Sequence, residues 1–529
     1  MTNLESVKQE VFKLFENQTP NAEVARLFGV HLRTVNRWKT KWRGQEGPTP
    51  QSKVKTEDLL YKLPEQYKTR LDPAMKRFVI TGALNDSPLD TGFLSSLKQY
   101  CHSQQCQLLV VPMVYRNPDL FFKTDKEDLG QWPVELAGHY ITEDTQLTRK
   151  LKLIASWTIA ATARNPLSGK NGVSGQCSAI FAHPRQDVEY YPAGHLDLPR
   201  QYISTGVLTQ PKYSASGAGG VASQAHTLGA VVVETEGDLF QCRHLEWRQG
   251  QLCDIHGTWT PQGQETTKIG EIVFGDVHTP FQDPVAWPAA LQFVEQYRPK
   301  AVVCHDFLDC FSISHHDTKL QKVPLMKAAL GASDLTKELE SSFKELHKLD
   351  QLGCEVVMPV SNHHEHLDKW ILHKGDTDPI NFKIWVSLFT EYYKRAQLDE
   401  KGEIAFPNGF QIAMMLMAQQ HNYTWQNLKW LTSGETYGRY GYDLSLHGHA
   451  APGGARGSLA AFSKSVRPLI VGHSHKPGRK NRCLQVGTLG RLDRAYKMDS
   501  YNTWVHSFAI VYENGAAQLV NLIQGRWAF

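Results

Sequence analysis

Near its start the chain places Leu4, Val7, Val11, Leu14 and Phe15 at helical spacing, with polar residues between them. A break at Thr19-Pro20-Asn21 precedes a second predicted helix, Ala22 to Phe28. Gly29 turns the chain into a third, from Leu32 to Trp42. Ala25, Gly29 and Val35 fall where a helix-turn-helix needs a small residue, a turn glycine and a buried β-branched residue. The third helix carries Arg33, Asn36, Arg37, Lys39 and Lys41. Arginine and asparagine can read base edges, while lysine more often meets phosphate, so these five are the candidate DNA contacts of the module. A three-helix unit that docks on a protein is the alternative.

Residues 44–76 form a polar Gly- and Pro-rich linker and a short helix. Residues 77–265 are expected to form an α+β middle domain. Phe78 to Thr81 and Leu108 to Val111 are predicted strands with a helical stretch between them, and a β-meander follows from Ala230. The glycine-rich Ser214 to Gly220 fits neither a Walker loop nor a dinucleotide fingerprint and is expected to be a surface loop. His183, His195, His226, His244 and His256 lack ligand spacing and are read as structural.

From residue 266 the pattern becomes strand–loop–helix. Short apolar runs at Ile269–Phe274, Ala301–Cys304, Glu355–Val360, Leu444–Leu446 and Leu469–Val471 each end in a His- or Asp-bearing motif. These read GDVH, HDFLD, SNHHEH, HGH and GHSH. In layered α/β proteins the ligand site lies beyond the strand ends, so five such loops are expected to converge at one sheet edge.

Length changes the picture little: 529 residues imply several domains. Net charge is only +4, but between Arg456 and Lys497 ten Lys/Arg face one acid, Asp493. Arg456, Arg479 and Lys480 flank the last motif and are candidates for holding the phosphates of a polymer. Nine scattered cysteines without a CxxC spacing suit reduced thiols. The first residues lack a signal peptide's apolar core, and no apolar run reaches membrane-spanning length. The expectation is a cytoplasmic protein, in a host cytoplasm if phage-encoded, with no membrane partner. A homo-oligomer would give the middle domain a role.

The His/Asp motifs, in order and spacing, resemble those of the calcineurin-like metallophosphoesterases over about residues 268–523. The resemblance implies an α/β fold, a layered metallophosphoesterase β-sandwich flanked by helices, beside a small all-α helix-turn-helix domain (1–43) and the middle domain (77–265). It implies two divalent ions, Mn2+ first, with Mg2+, Fe2+ or Zn2+ as alternatives. Asp276, His278 and His475 would hold one, Asn362, His447 and His473 the other, and Asp306 would bridge them. His363 would be catalytic, protonating the leaving oxygen or steadying charge on the phosphate. His305 and Ser361 stand where the family has glycine, so the loop geometry there is in question.

The N-terminal spacing is similar to the helix-turn-helix heads of transposases and phage terminases. The combination resembles phage-encoded DNases, those of T5-like phages among them, and implies a metal-dependent nuclease. Two other readings stand beside it. One is a phosphatase of phosphoproteins, nucleotides or small esters that docks through the N-terminal helices. The other is a DNA-binding protein with a relict metal site.

Overall fold

The computed structural model describes residues 11–15, 17, 19–36, 38–39, 63–116, 131–194, 197–314, 322–398, 404–451, 457–493 and 501–529. The linker before residue 63 lies outside them, as do His195, His315 and His316. The chain divides into two compact units, Met1–Tyr61 and Lys62–Phe529.

In the first unit Val11, Phe15, Val24 and Val35 form a small core, with Phe12, Phe28, Val30 and Trp38 packed against it. The second helix spans Asn21–Leu27 and ends at Gly29, whose φ of 60° is the left-handed turn that glycine adopts without strain. Helical residues resume at 32–36. The buried face is the one that the spacing of apolar residues predicts.

The second unit is mixed α/β and contains three large sheets of seven, six and eight strands. The seven-stranded sheet holds the predicted βαβ opening. Arg77–Leu84 runs parallel to Gln107–Met113 across the helix Thr91–Ser103, and an antiparallel meander from Gly229 to Glu265 completes it.

In the six-stranded sheet, Ile269–Phe274, Ala301–Cys304, Glu355–Met358 and Leu428–Trp430 run parallel, and Ser507–Tyr512 and Ala517–Asn521 add antiparallel strands. Its near-continuous apolar runs reflect burial of both faces. Ile272, Phe274, Val302, Cys304, Val356 and Met358 join a core shared with helices Ala286–Tyr297, Leu335–Asp350 and Gly409–Gln420. The alternate residues Val273, Val303 and Val357 pack instead with Ile470, Leu484 and Val486. The period of two thus assigns each residue to a layer.

Ile470–Val471, Gly478–Lys480 and Cys483–Gln485 lie in the eight-stranded sheet, whose other five strands come from residues 145–204. Gly478–Lys480 pairs antiparallel with Asp187–Tyr191, Arg479 opposite Val188. The predicted middle domain therefore shares a sheet with the segment that carries GHSH.

Two sequence expectations change. Ser214 to Gly220 is not all loop: Ser216 caps a helix, Gly217–Ala225, by accepting from Gly219 N at 3.1 Å. Gly219 is required there, because a Cβ would come 2.0 Å from the Ser214 carbonyl oxygen. Leu444–Leu446 is not a strand. The Asp443 carboxylate accepts from Ser445 N at 3.0 Å and Ser445 Oγ at 2.7 Å, and this local turn replaces ladder pairing. As expected, His183, His226 and His244 are structural: His183 and His244 are buried and His226 is half-buried, each with Nε2 bonded to a backbone carbonyl oxygen.

Arg243 ties the seven-stranded sheet to the last strand of the six-stranded one. Fully buried, it donates to Glu234 Oε1 at 3.0 Å and to both oxygens of Asp254 at 3.1 Å. Asp254 Oδ1 also accepts from Gln518 Nε2 at 3.2 Å. Removing the cation strands two buried carboxylates, which costs about 3–5 kcal/mol. Arg243→Met is therefore expected to lower the urea midpoint clearly, and an unchanged midpoint would refute this account.

Candidate metal centre

Asp276 and His278 follow Ile269–Phe274, Asp306 follows Ala301–Cys304, and Asn362 opens the helix Asn362–His373 beyond Glu355–Met358. His447 follows the Asp443 turn. His473 and His475 follow Ile470–Val471 of the eight-stranded sheet. The motifs thus meet between the ends of two sheets, not along the edge of one.

Three groups of potential ligands form among the described residues, one of them His278, Asp309 and His363. Asp276, His278 and His475 present atoms within 4.8 Å of one another, and so do Asp306, His447 and His473. His447 spans them, with Nδ1 4.0 Å from Asp276 Oδ1 and Nε2 3.0 Å from Asp306 Oδ2. His475 Nε2 lies 3.0 Å from Asp276 Oδ2 and 2.9 Å from His278 Nε2. Asn362 precedes His363, whose backbone N–H reaches Asp306 Oδ1 at 3.4 Å.

These side chains fit divalent cations by an independent test. Asn362 Oδ1, His447 Nδ1 and His475 Nδ1 are buried without a hydrogen bond. Polar atoms so placed cost free energy unless something satisfies them. Carboxylate and amide oxygens mixed with imidazole nitrogens suit manganese, iron, zinc or magnesium.

Burial raises the carboxyl pKa of Asp276 and of Asp306, but His447 and neighbouring histidines outweigh it, so both are held well below the usual range. Burial pushes His473 and His475 down to about 4, leaving neutral rings as ligands at neutral pH. Burial also opposes charge on His363, yet the Asp306 and Asp309 carboxylates prevail and raise its pKa. His363 Nδ1 bonds the Asp309 carbonyl oxygen at 2.6 Å, and its Nε2 lies 3.9 Å from Asp306 Oδ2.

Four of these residues hold left-handed backbone: His278 (φ 56°), Asp306 (37°), His473 (72°) and His475 (56°). Non-glycine residues adopt it at a cost, and such strain clusters at functional sites. Both residues that stand in place of glycine are accommodated in their loops. Ser361 has φ −136° and caps the helix, its Oγ accepting from His364 N. The His305 ring is buried against Gly472, where a Cβ would lie 2.4 Å from Asp276 Oδ1 and 2.9 Å from His305 Cγ. Bare backbone at Gly472 is what lets both side chains enter. His364 Nε2 accepts from Phe307 N at 3.2 Å and so pins the loop that carries Asp306.

Two further side chains support the site, one of them legible in sequence as the last acid of the HDFLD motif. Asp309 Oδ2 lies 3.0 Å from His278 Nδ1 and can orient that ring. Trp504 packs on His475, ring centroids 4.1 Å apart, and no sequence signal marks it.

The candidate DNA contacts divide. Arg33 and Asn36 are exposed, and Asn36 accepts from Asn21 Nδ2 at 2.8 Å. Lys39 is half-buried, donating to Asn21 Oδ1 at 2.9 Å and lying over the Phe15 ring. Arg37, Lys41 and Arg456 lie outside the described residues. Lys480 is half-buried and bonds Asn165 Oδ1. Arg479 is a correction: it is 1% exposed, bonded to Glu246 at 3.1 Å and to the carbonyl oxygens of Asn481 and Ala517, so it cannot meet DNA.

The profile of the homeodomain-like domain matches residues 2–50, which agrees with the helix-turn-helix packing of the first unit. The chain is similar to Protein A1 of Escherichia phage T5. The two are 26% identical over 471 residues, 85% of this chain and 83% of the relative. No solved structure matches the chain. Among the described residues no helix is long and apolar enough to cross a membrane.

Proposed function

We propose that the chain is a two-metal phosphodiesterase that hydrolyses DNA, a metallophosphoesterase domain joined to a DNA-binding helix-turn-helix. The observation that carries this reading is the pairing of the Asp276/His278/His475 and Asp306/His447/His473 groups, spanned by His447. The homeodomain-like match supports DNA as the polymer.

Asp276, His278 and His475 would hold one cation and Asn362, His447 and His473 the second, with Asp306 shared. When bound, two such cations offset phosphate charge and lower the pKa of an attacking water. The protein's own part is to keep its donors aimed. Asp309 and the Phe307 amide with His364 fix the loops, and Trp504 covers one side of His475. His363, held at Nδ1, turns Nε2 toward the site and is placed to give the leaving oxygen a proton. The helix-turn-helix tethers the enzyme, raising the local concentration of cleavable bonds.

Incubation of supercoiled plasmid with the protein and Mn2+ or Mg2+ tests this reading. Nicking or degradation that EDTA abolishes is expected. An intact plasmid, together with rapid hydrolysis of p-nitrophenyl phosphate, would make the chain a phosphatase.

A further inference from the structure

The helix Phe382–Arg395 has two apolar faces, and the fold of the chain uses one of them. Ile384, Leu388 and Tyr392 are buried in the core that the six-stranded sheet shares with its helices. Phe382, Val386, Phe389 and Tyr393 are exposed, Tyr393 to 76%. At 3.6 residues per turn these four fall within about 60° of the helix circumference, so they form one stripe. A surface helix normally gives such a face to polar residues. Here Lys383, Glu391, Lys394 and Arg395 project in other directions, and Glu391 pairs with both Lys394 and Arg395.

The stripe is part of a larger patch. Trp385 links its rings, with centroids 5.6 Å from Phe382 and 5.1 Å from Phe389. Exposed Ile380 lies just before it. At the other end Phe406 stacks on Tyr392 at 5.7 Å, and Leu398, 71% exposed, stands on a strand paired with Ile404–Ala405. At about 200 Å² per fully exposed ring, the four exposed aromatics leave roughly 400 Å² bare. The three aliphatic side chains raise this to roughly 600 Å². That is the upper end of what a monomer leaves exposed in one patch. With the polar rim that a partner also covers, it approaches the roughly 800 Å² per partner of a stable interface.

The spacing says what covers it. The stripe steps by four, three and four residues, the interval of helices that pack side by side, and this order reads the same in both directions. A two-fold axis across the middle of the helix sets an identical helix antiparallel to the first. Phe382 then faces Tyr393 of the second copy, and Val386 faces its Phe389. Aromatic rings meet at both ends, and a small side chain meets a large one on either side of the axis. A face complementary to itself in this way makes a closed, symmetric dimer.

We propose that this face pairs two copies of the chain, helix Phe382–Arg395 against its own antiparallel mate. The contact lies on the helical layer of the six-stranded sheet, not on residues 77–265, where the sequence suggested a role in assembly. The dimer carries two helix-turn-helix units, and it stands whether or not the metal centre cleaves DNA.

Sedimentation equilibrium of the full-length protein at micromolar concentration is the test. The expected particle holds two chains. Val386→Glu and Phe389→Lys should each raise the dissociation constant by about a hundredfold or more, because each buries a charge without a partner. Both positions are exposed in the single chain, so the variants should keep the circular dichroism of the parent. Mixed together, the two variants should recover the dimer, since the carboxylate introduced at position 386 of one copy meets the ammonium introduced at 389 of the other. A single-chain parent, or dimers that persist in both variants, would overturn the proposal, and so would a failure of the mixture to pair. A single-chain parent that co-sediments with anionic lipid vesicles through the same stripe would give this face to a membrane instead. Plasmid cleavage decides the phosphodiesterase reading separately.

Discussion

Asp306→Ala is expected to lower plasmid cleavage by on the order of 10³-fold or more and to cut the bound metal from two ions per chain to one or none. Losing one fixed donor aimed at developing charge already costs roughly 10²–10³ in rate, and this carboxylate is assigned to both ions. Its surroundings explain why no neighbour replaces it. Asp306 is buried, its Oδ2 is 3.0 Å from His447 Nε2, and His363 approaches the same oxygen at 3.9 Å. Without the anion these imidazoles face one another, and the histidine cluster loses its main counter-charge. Asp306→Asn keeps the shape but not the charge. It should fold like the parent and retain less metal, which separates loss of ligation from loss of structure. Metal analysis beside the plasmid assay decides the matter. Two tightly held ions in Asp306→Ala, or undiminished cleavage, would remove Asp306 from the centre of the mechanism.

The candidate ligands were legible because they sit in short motifs, most of them directly after a buried strand; His447, after the Asp443 turn, is the exception. Short apolar runs such as Ala301–Cys304 likewise marked strands, and the structure buries them on both faces. Long-range pairing was not legible. Nothing in the stretch Lys476 to Arg482 says that Arg479 pairs across a sheet with Val188 and reaches Glu246. A run of cations reads as surface, yet strand period turns Arg479 inward and leaves Lys480 at the edge. The boundary near residue 265 is obscured for the same reason, since segments almost three hundred residues apart share one sheet. The Asp443 turn and the Gly217–Ala225 helix show the converse, where local side-chain bonds to backbone overrode an apolar run and a glycine-rich composition. The place of Trp504 beside His475 arises from tertiary packing alone.

His363→Asn is expected to separate proton donation from metal binding. The Nδ1 bond to the Asp309 carbonyl oxygen requires a proton on Nδ1, so Nε2 carries one only in the cationic ring. The Asp306 and Asp309 carboxylates favour that cation over the opposing effect of burial. A group so poised can protonate a departing alkoxide, a service worth roughly 10²–10⁴ in rate. The 3′- or 5′-oxygen of DNA is a poor leaving group and needs that proton, whereas p-nitrophenolate leaves without it. His363→Asn should therefore slow plasmid cleavage by about 10²–10⁴-fold and slow bis(p-nitrophenyl) phosphate hydrolysis by far less, with the metal content unchanged. The pH profile carries the same signature. In the parent, DNA cleavage should fall as pH rises through the raised His363 pKa and the ring loses its Nε2 proton, a limb that His363→Asn would lack. Equal losses on both substrates would instead make His363 a group that steadies charge on the phosphate, because that role does not depend on the leaving oxygen.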